Sequence, residues 1–202
     1  MMKHYKIFFD SVGCPDMWHL KDPIDAKDKI IDDGFLPNVA PYVGEPLITV
    51  PINLTYPGRT LDFTYQAPKY FVARTFVANL IETFSVRLQR FPVTLSPTGE
   101  AGYEIIFAYD CVAKGLVDLT RAEEHECYEK SDFNISLIHG GIAPRQKGML
   151  YKVYPLKINS HDAQHLIWFR PWERLDVTII REDLKEAFEK HGVTGLSYEL
   201  VS

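Results

Sequence analysis

Residues 175–180 read LDVTII, a run of β-branched and apolar side chains that suits a strand on a packed face. Leu184, Ala187, Phe188 and His191 then recur at the spacing of one helix face, so the pattern predicts strand, then helix. Glu182 and Asp183 set negative charge at the helix start, and Gly192 can take the left-handed conformation on which a helix ends. Residues 196–201 (LSYELV) predict a second strand. A similar alternation of periods occurs earlier: Phe71 and Val72 close a strand, Phe76, Leu80 and Phe84 follow four apart, and residues 86–95 are again extended. A shift of 108 positions lays Phe71 and Val72 on Ile179 and Ile180, Phe76 on Leu184, and Leu80 on Phe188. Two copies of one small unit would give this match, although apolar residues four apart recur in most amphipathic helices. Val77 and Ile81 widen the stripe of the first helix, which predicts deeper burial than for the second.

Around these units the pattern predicts mainly short strands. Residues 4–9 (HYKIFF) form an opening strand, with Tyr5, Ile7 and Phe9 on one side and Phe8 on the other. Eight of the 13 prolines fall between Cys14 and Pro68, a density that disfavours long helices and central strands. Short strands at 47–50 and 61–65, with turns at Asp33-Gly34 and Tyr56-Pro57-Gly58, are the expected product. Residues 103–108 and 115–119 read as strands, Gly140-Gly141 marks a loop, and residues 150–158 and 165–169 read as strands paired across a turn at 159–162. The fold class expected is α+β: a mixed, mostly antiparallel sheet with two strand-helix-strand units packed on it. It is expected as a single domain over residues 1–202, with a Pro-rich β and loop part at 1–68 and an α+β core at 69–202.

Composition narrows the function classes. With 46% hydrophobic residues the chain can bury a sizeable core, and a net charge of −5 is too modest for disorder. The 22 basic residues are scattered, no two adjacent, which argues against a surface that tracks phosphates. Cys14, Cys111 and Cys127 are odd in number and far apart, a poor basis for a disulfide framework, so a reducing compartment is expected. Asp10 interrupts the short N-terminal apolar patch. No signal peptide or membrane span is therefore expected, and the cytoplasm is the expected location.

Negative charge concentrates in one place. From Asp118 to Asp132 the acids are Asp118, Glu123, Glu124, Glu126, Glu129 and Asp132, against only Arg121 and Lys130. Other clusters carry side chains suited to chemistry. His125 and Cys127, with Cys111, carry metal-donor side chains, but no C-x-x-C pair completes a set, and His161 and His165 straddle a predicted turn. Cys111 with His161, or pairs among Glu100, Glu104, Asp110 and Asp118, would be needed for a small hydrolase with a Cys- or carboxylate-based site. Nothing marks these groups as activated. No catalytic residue, metal or cofactor is expected. Trp168-Phe169-Arg170-Pro171-Trp172 is richer in interface-type residues; Trp168 is expected inside and Trp172 at the surface.

Four stretches carry a family resemblance: Gly58-Arg59-Thr60-Leu61-Asp62-Phe63, Leu116-Val117-Asp118-Leu119, Ile167-Trp168-Phe169-Arg170, and Val193-Thr194-Gly195-Leu196-Ser197-Tyr198. Over residues 58–200 the chain resembles bacterial polymorphic-toxin immunity proteins, in the families numbered eleven and forty-three, formerly domains of unknown function. Those families tend to carry Ser at each helix start, where this chain has Ala73 and Arg181. The resemblance implies an antitoxin of bacterial competition systems such as type VI secretion, one that binds a cognate toxin and performs no reaction. Its contact residues are not carried over from the family. The acidic segment and the aromatic cluster supply the candidates: Asp118, Glu123, Glu124, Glu126, Glu129, Arg170 and Trp172. The rival readings are the small hydrolase and an assembly partner in the same secretion apparatus.

Overall fold

A computed structural model describes residues 2–10, 19–23, 50–56, 58–67, 70–96, 98–131 and 146–202, with only the backbone described at 19–23, 50–56, 65–67 and 70. The expected turns at Asp33-Gly34, Pro57 and Gly140-Gly141, and residues 47–49, lie outside them. The strands are β1 (His4–Phe9), β2 (His19–Pro23), β3 (Val50–Tyr56), β4 (Phe63–Ala67), β5 (Tyr70–Arg74), β6 (Leu88–Ser96), β7 (Glu100–Ala108), β8 (Val112–Ala113), β9 (Glu124–Cys127), β10 (Leu150–Tyr154), β11 (Trp168–Pro171), β12 (Thr178–Arg181) and β13 (Leu196–Leu200). The helices are α1 (Thr75–Thr83), the single turn α2 (Ser160–Ala163) and α3 (Glu182–Lys190). The fold is α+β and mostly antiparallel, with parallel pairs only at β3–β6 and β8–β11 among the described strands. Its strands form a five-stranded sheet (β13-β1-β12-β11-β8), a six-stranded sheet (β2-β3-β6-β7-β5-β4) and a two-stranded ribbon (β10-β9). No described helix is long and apolar enough to cross a membrane.

The two large sheets contain the same arrangement twice. In one, β4, β5, α1 and β6 are completed by β7, which lies antiparallel between β6 and β5. In the other, β11, β12, α3 and β13 are completed by β1, antiparallel between β13 and β12. The chain's N-terminal strand thus closes its C-terminal unit. Pairing registers fix the equivalences: Ala73 faces Phe63 as Ile180 faces Trp168, and Leu88 faces Ala108 as Leu196 faces Phe9. From strand through helix the offset is 107 residues, since Thr75–Thr83 becomes Glu182–Lys190, and after the helix it is 108. The expected shift of 108 therefore holds for the second strand and is one residue too long for the first strand and helix. Thr194 is the extra residue.

That correction changes which helix face is inside. The buried residues of α1 are Val77, Ala78 and Ile81, while Phe76 is 42% exposed; α3 buries Leu184 and Phe188. The two faces meet Ile7, Phe63, Phe71, Ile106, Trp168 and Ile180 in one core. Neither helix has a side-chain cap at its first residue, and the N-caps are Arg74 and Arg181 rather than Ala73 and Arg181. Lys3 carbonyl and Asp183 Oδ1 accept the first free N–H groups of α3 instead, from Glu182 and Leu184 at 3.0 Å each. Both helices end on a left-handed residue, Ser85 (φ 62°) and Gly192 (φ 64°).

Within the five-stranded sheet, β11 and β12 are buried on both faces, and their alternate residues point opposite ways. Ile180 and Trp168 face the helices; Ile179 and Phe169 join Leu116, Leu156, Ile158 and Ala163 in a second core behind it. That second layer overturns one expected hairpin. Residues 150–158 do not pair with 165–169: β10 pairs β9, the turn at 159–162 is the helical turn α2, and β11 pairs β12 and β8. The strand expected at 115–119 reduces to a bridge from Val117 to Ile158, followed by a 3-10 turn at Leu119–Arg121, and the short strand β8 lies before it.

Candidate functional site

The polar run at 120–131 contains a strand. All four residues of β9, Glu124-His125-Glu126-Cys127, are exposed, and the strand pairs with β10 through Glu124–Tyr154, His125–Val153, Glu126–Lys152 and Cys127–Leu150. A bulge at Tyr151 shifts the register. Tyr151 is 51% exposed and Tyr154 65%. The ribbon is not loose, since Leu150 is buried, Val153 packs against the second core, and Gly148 lies against the Trp172 ring.

Charge on the ribbon is partly paired. Lys152 Nζ sits 2.6 Å from Glu124 and 3.6 Å from Glu126. The Tyr151 hydroxyl donates a short hydrogen bond to Glu126 Oε2, and this, with the nearby Lys152, holds the Glu126 carboxyl below the usual carboxylate range. Glu126 in turn pushes the Tyr151 phenol up, and Glu124 does the same for the Lys152 ammonium. Glu123 and Glu129 are exposed and form no ion pair among the described residues.

The remaining candidates are placed differently. Asp118 Oδ1 accepts from Thr120 N at 3.1 Å and Thr120 Oγ1 at 2.6 Å, so this carboxylate caps a turn. Arg170 is 1% exposed inside β11 and its side chain does not reach the surface. Aromatic-rich composition around it marked an interface; tertiary packing put it in the core instead. Trp168 is buried at 5%, and Trp172 is partly exposed with Lys114 Nζ 4.9 Å from its ring centre. The sequence reading missed Tyr151 and Tyr154. Their signal was the sequence LYKVY opposite an acidic strand, hidden because β10 was assigned the wrong partner.

The candidate catalytic carboxylates at 100, 104 and 110 are each ion-paired. Glu104 pairs with Arg90, Glu100 with Arg74 and Asp110 with Arg87. Cys111 is buried, its thiol donates to the Ala108 carbonyl at 3.2 Å, and burial pushes its pKa up, away from the thiolate a nucleophile needs. The histidine that shares a cleft with Cys111 is His165; His161 lies on α2 and is exposed. Cys111 and Cys127 are free thiols, and among the described residues no three His, Cys, Asp or Glu side chains converge on a point where a metal ion would fit. A scan against protein-family models finds no match for this chain, and a search of curated proteins finds none either.

Proposed function

We propose that the chain is an immunity protein that binds a cognate secreted bacterial toxin in the cytoplasm and neutralises it by stoichiometric occlusion. The observation that carries this reading is the ribbon: an exposed acidic strand beside two exposed tyrosines, on a backbone anchored to the core. A toxin that attacks nucleic acid presents basic groups to phosphate, and a carboxylate-rich surface steers such a partner into encounter. Tyrosine then supplies apolar contact area with few rotatable bonds, which is why it recurs among interface anchors. Lys152 weakens the field of Glu124 and Glu126, so Glu123 and Glu129 supply much of the unpaired charge. The proposed contact leaves out Arg170, which is buried, and Asp118, which caps a turn.

The test is co-expression with the product of the neighbouring open reading frame, followed by association rates across a salt series. The expected result is a tight complex whose formation slows with salt. The triple variant E123K/E124K/E126K should associate more slowly and with a flatter salt dependence. Identical kinetics for variant and parent would remove the ribbon from the interface. A cognate toxin that stays lethal in the presence of the chain would end the reading.

A further inference from the structure

The two units meet at two equivalent junctions, and only one is sealed. After α3, the Thr194 carbonyl accepts from Phe63 N at 3.0 Å, and Thr194 N and Oγ1 both donate to Asp62 Oδ2, at 3.1 and 2.7 Å. Gly195 then passes so close to β4 that a Cβ there would lie 2.0 Å from the Phe63 carbonyl oxygen. After α1 the connection is one residue shorter and Arg87 stands where Gly195 does: its carbonyl accepts from Tyr109 N at 3.2 Å, as that of Gly195 accepts from Asp10 N at 3.2 Å. A side chain at this position excludes the close approach that glycine permits. In place of a seal, this junction has a cleft of about 360 Å³ between the α1–β6 connection and the start of β11.

The cleft has an apolar lining and one pair of opposite charges. Phe84, Val86, Leu166, Ile167 and Trp168 supply the apolar surface. Arg87 Nη1 lies 3.1 Å from Asp110 Oδ2, and these side chains are 69% and 54% exposed. An ion pair so exposed contributes little to stability, so exchanging it for ligand contacts costs little. The volume falls within the range of small-molecule sites, about 300–1,000 Å³.

We propose that this cleft binds a free α-amino acid with a large apolar side chain. Its carboxylate takes the Arg87 guanidinium, its ammonium takes the Asp110 carboxylate, and its side chain lies on the apolar lining. A zwitterion is the charge pattern that leaves neither residue unmatched. A simple carboxylate would pair with Arg87 and face Asp110 as a like charge; a simple amine would do the reverse at Arg87. The site goes beyond the toxin-neutralising function and stands whether or not that reading holds.

The experiment is a titration of the full chain with L-phenylalanine, followed by amide and indole N–H chemical shifts in heteronuclear NMR. 3-Phenylpropionate and phenethylamine are the matched ligands lacking one charge. Saturable shifts are expected at residues 84–87, 109–111 and 165–168, with each one-charge ligand about tenfold weaker, the loss of one charge-assisted hydrogen bond. Arg87→Ala and Asp110→Asn should each weaken L-phenylalanine by a similar factor. Both positions are exposed, and Asn tolerates the left-handed backbone at residue 110 (φ 56°), so the fold is preserved. The proposal is overturned by the lack of any saturable shift up to about 10 mM. It is equally overturned if all three ligands bind alike, or if both variants respond as the parent does.

Discussion

The rings of Phe63 and Trp168 meet at 6.3 Å between centroids and 43° between planes, and the two residues hold the same position in the two units. Phe71 and Phe188 complete the cluster, at 5.0 and 6.2 Å from Phe63. Phe63 is fully buried, so Phe63→Ala should cost about 3–5 kcal/mol in urea denaturation, through lost burial and the cavity left behind. Phe8, 41% exposed, is the matched control, and Phe8→Ala should cost under about 1 kcal/mol. Equal losses at the two positions would mean that the core does not run between the units.

Gly195 and Gly192 separate two costs of a side chain. Both have positive φ, 100° and 64°, but a Cβ at Gly192 meets nothing within 4 Å while at Gly195 it meets the Phe63 carbonyl. Gly192→Ala should cost about 1 kcal/mol, the penalty of the left-handed conformation alone. Gly195→Ala adds displacement of β4 and should lower the thermal midpoint by clearly more. A smaller loss for Gly195→Ala would contradict the sealed junction.

Arg90 clasps α1 to the six-stranded sheet. Its Nε and Nη2 donate to Glu104 at 2.5 and 3.0 Å, while Nη1 reaches Asn79 and Glu82 of the helix at 2.8 and 2.7 Å. Glu104 is buried at 9% exposure, so Glu104→Ala leaves a shielded guanidinium without its main partner and should cost about 2–4 kcal/mol. The double variant Arg90→Met/Glu104→Leu should recover part of that loss, because no charge is then stranded. Chemical denaturation of the three proteins decides it; an additive double variant would rule out coupling.

His4 makes stability depend on pH. The ring is fully enclosed, and since the Ala163 carbonyl can only accept, Nε2 carries the proton it donates across 3.1 Å. Among the described residues Nδ1 is buried without a hydrogen-bond partner, and burial lowers the pKa from its ordinary 6.5. The folded state therefore resists a second ring proton that the unfolded chain accepts. Stability from this residue is fully present above pH 6.5 and declines as pH falls below it toward the depressed folded value. Denaturation midpoints at several pH values should drop on the acid side for the parent and drop less for His4→Gln.

Tyr151 and Tyr154 are proposed as contacts, and their exposure makes them separable from folding. Alanine at either should leave the thermal midpoint unchanged and weaken the toxin complex, by about thirtyfold if the residue is an anchor. Affinity measured by calorimetry is the readout. Parental affinity in both variants would leave charge alone to explain the ribbon.

What the amino-acid order determined by itself was local. Strong runs such as LDVTII and HYKIFF, and apolar residues at helical spacing, set β1, β12, α3 and β13 because neighbours along the chain impose their period directly. The charge of β9 was equally plain, since charge survives any fold. Pairing was not. β10 could have joined any strand of compatible pattern, and its partner β9 was chosen by closure of the second core. Arg170 is enclosed on the opposite face of β11, the one it shares with Trp168. The register of α1 against α3 shifted by one residue because a single extra residue, Thr194, sits in one connection and not the other. The cleft exists for that same reason: whether two strands seal or stand apart depends on backbone approach within a few tenths of an ångström, and only the assembled structure sets that distance.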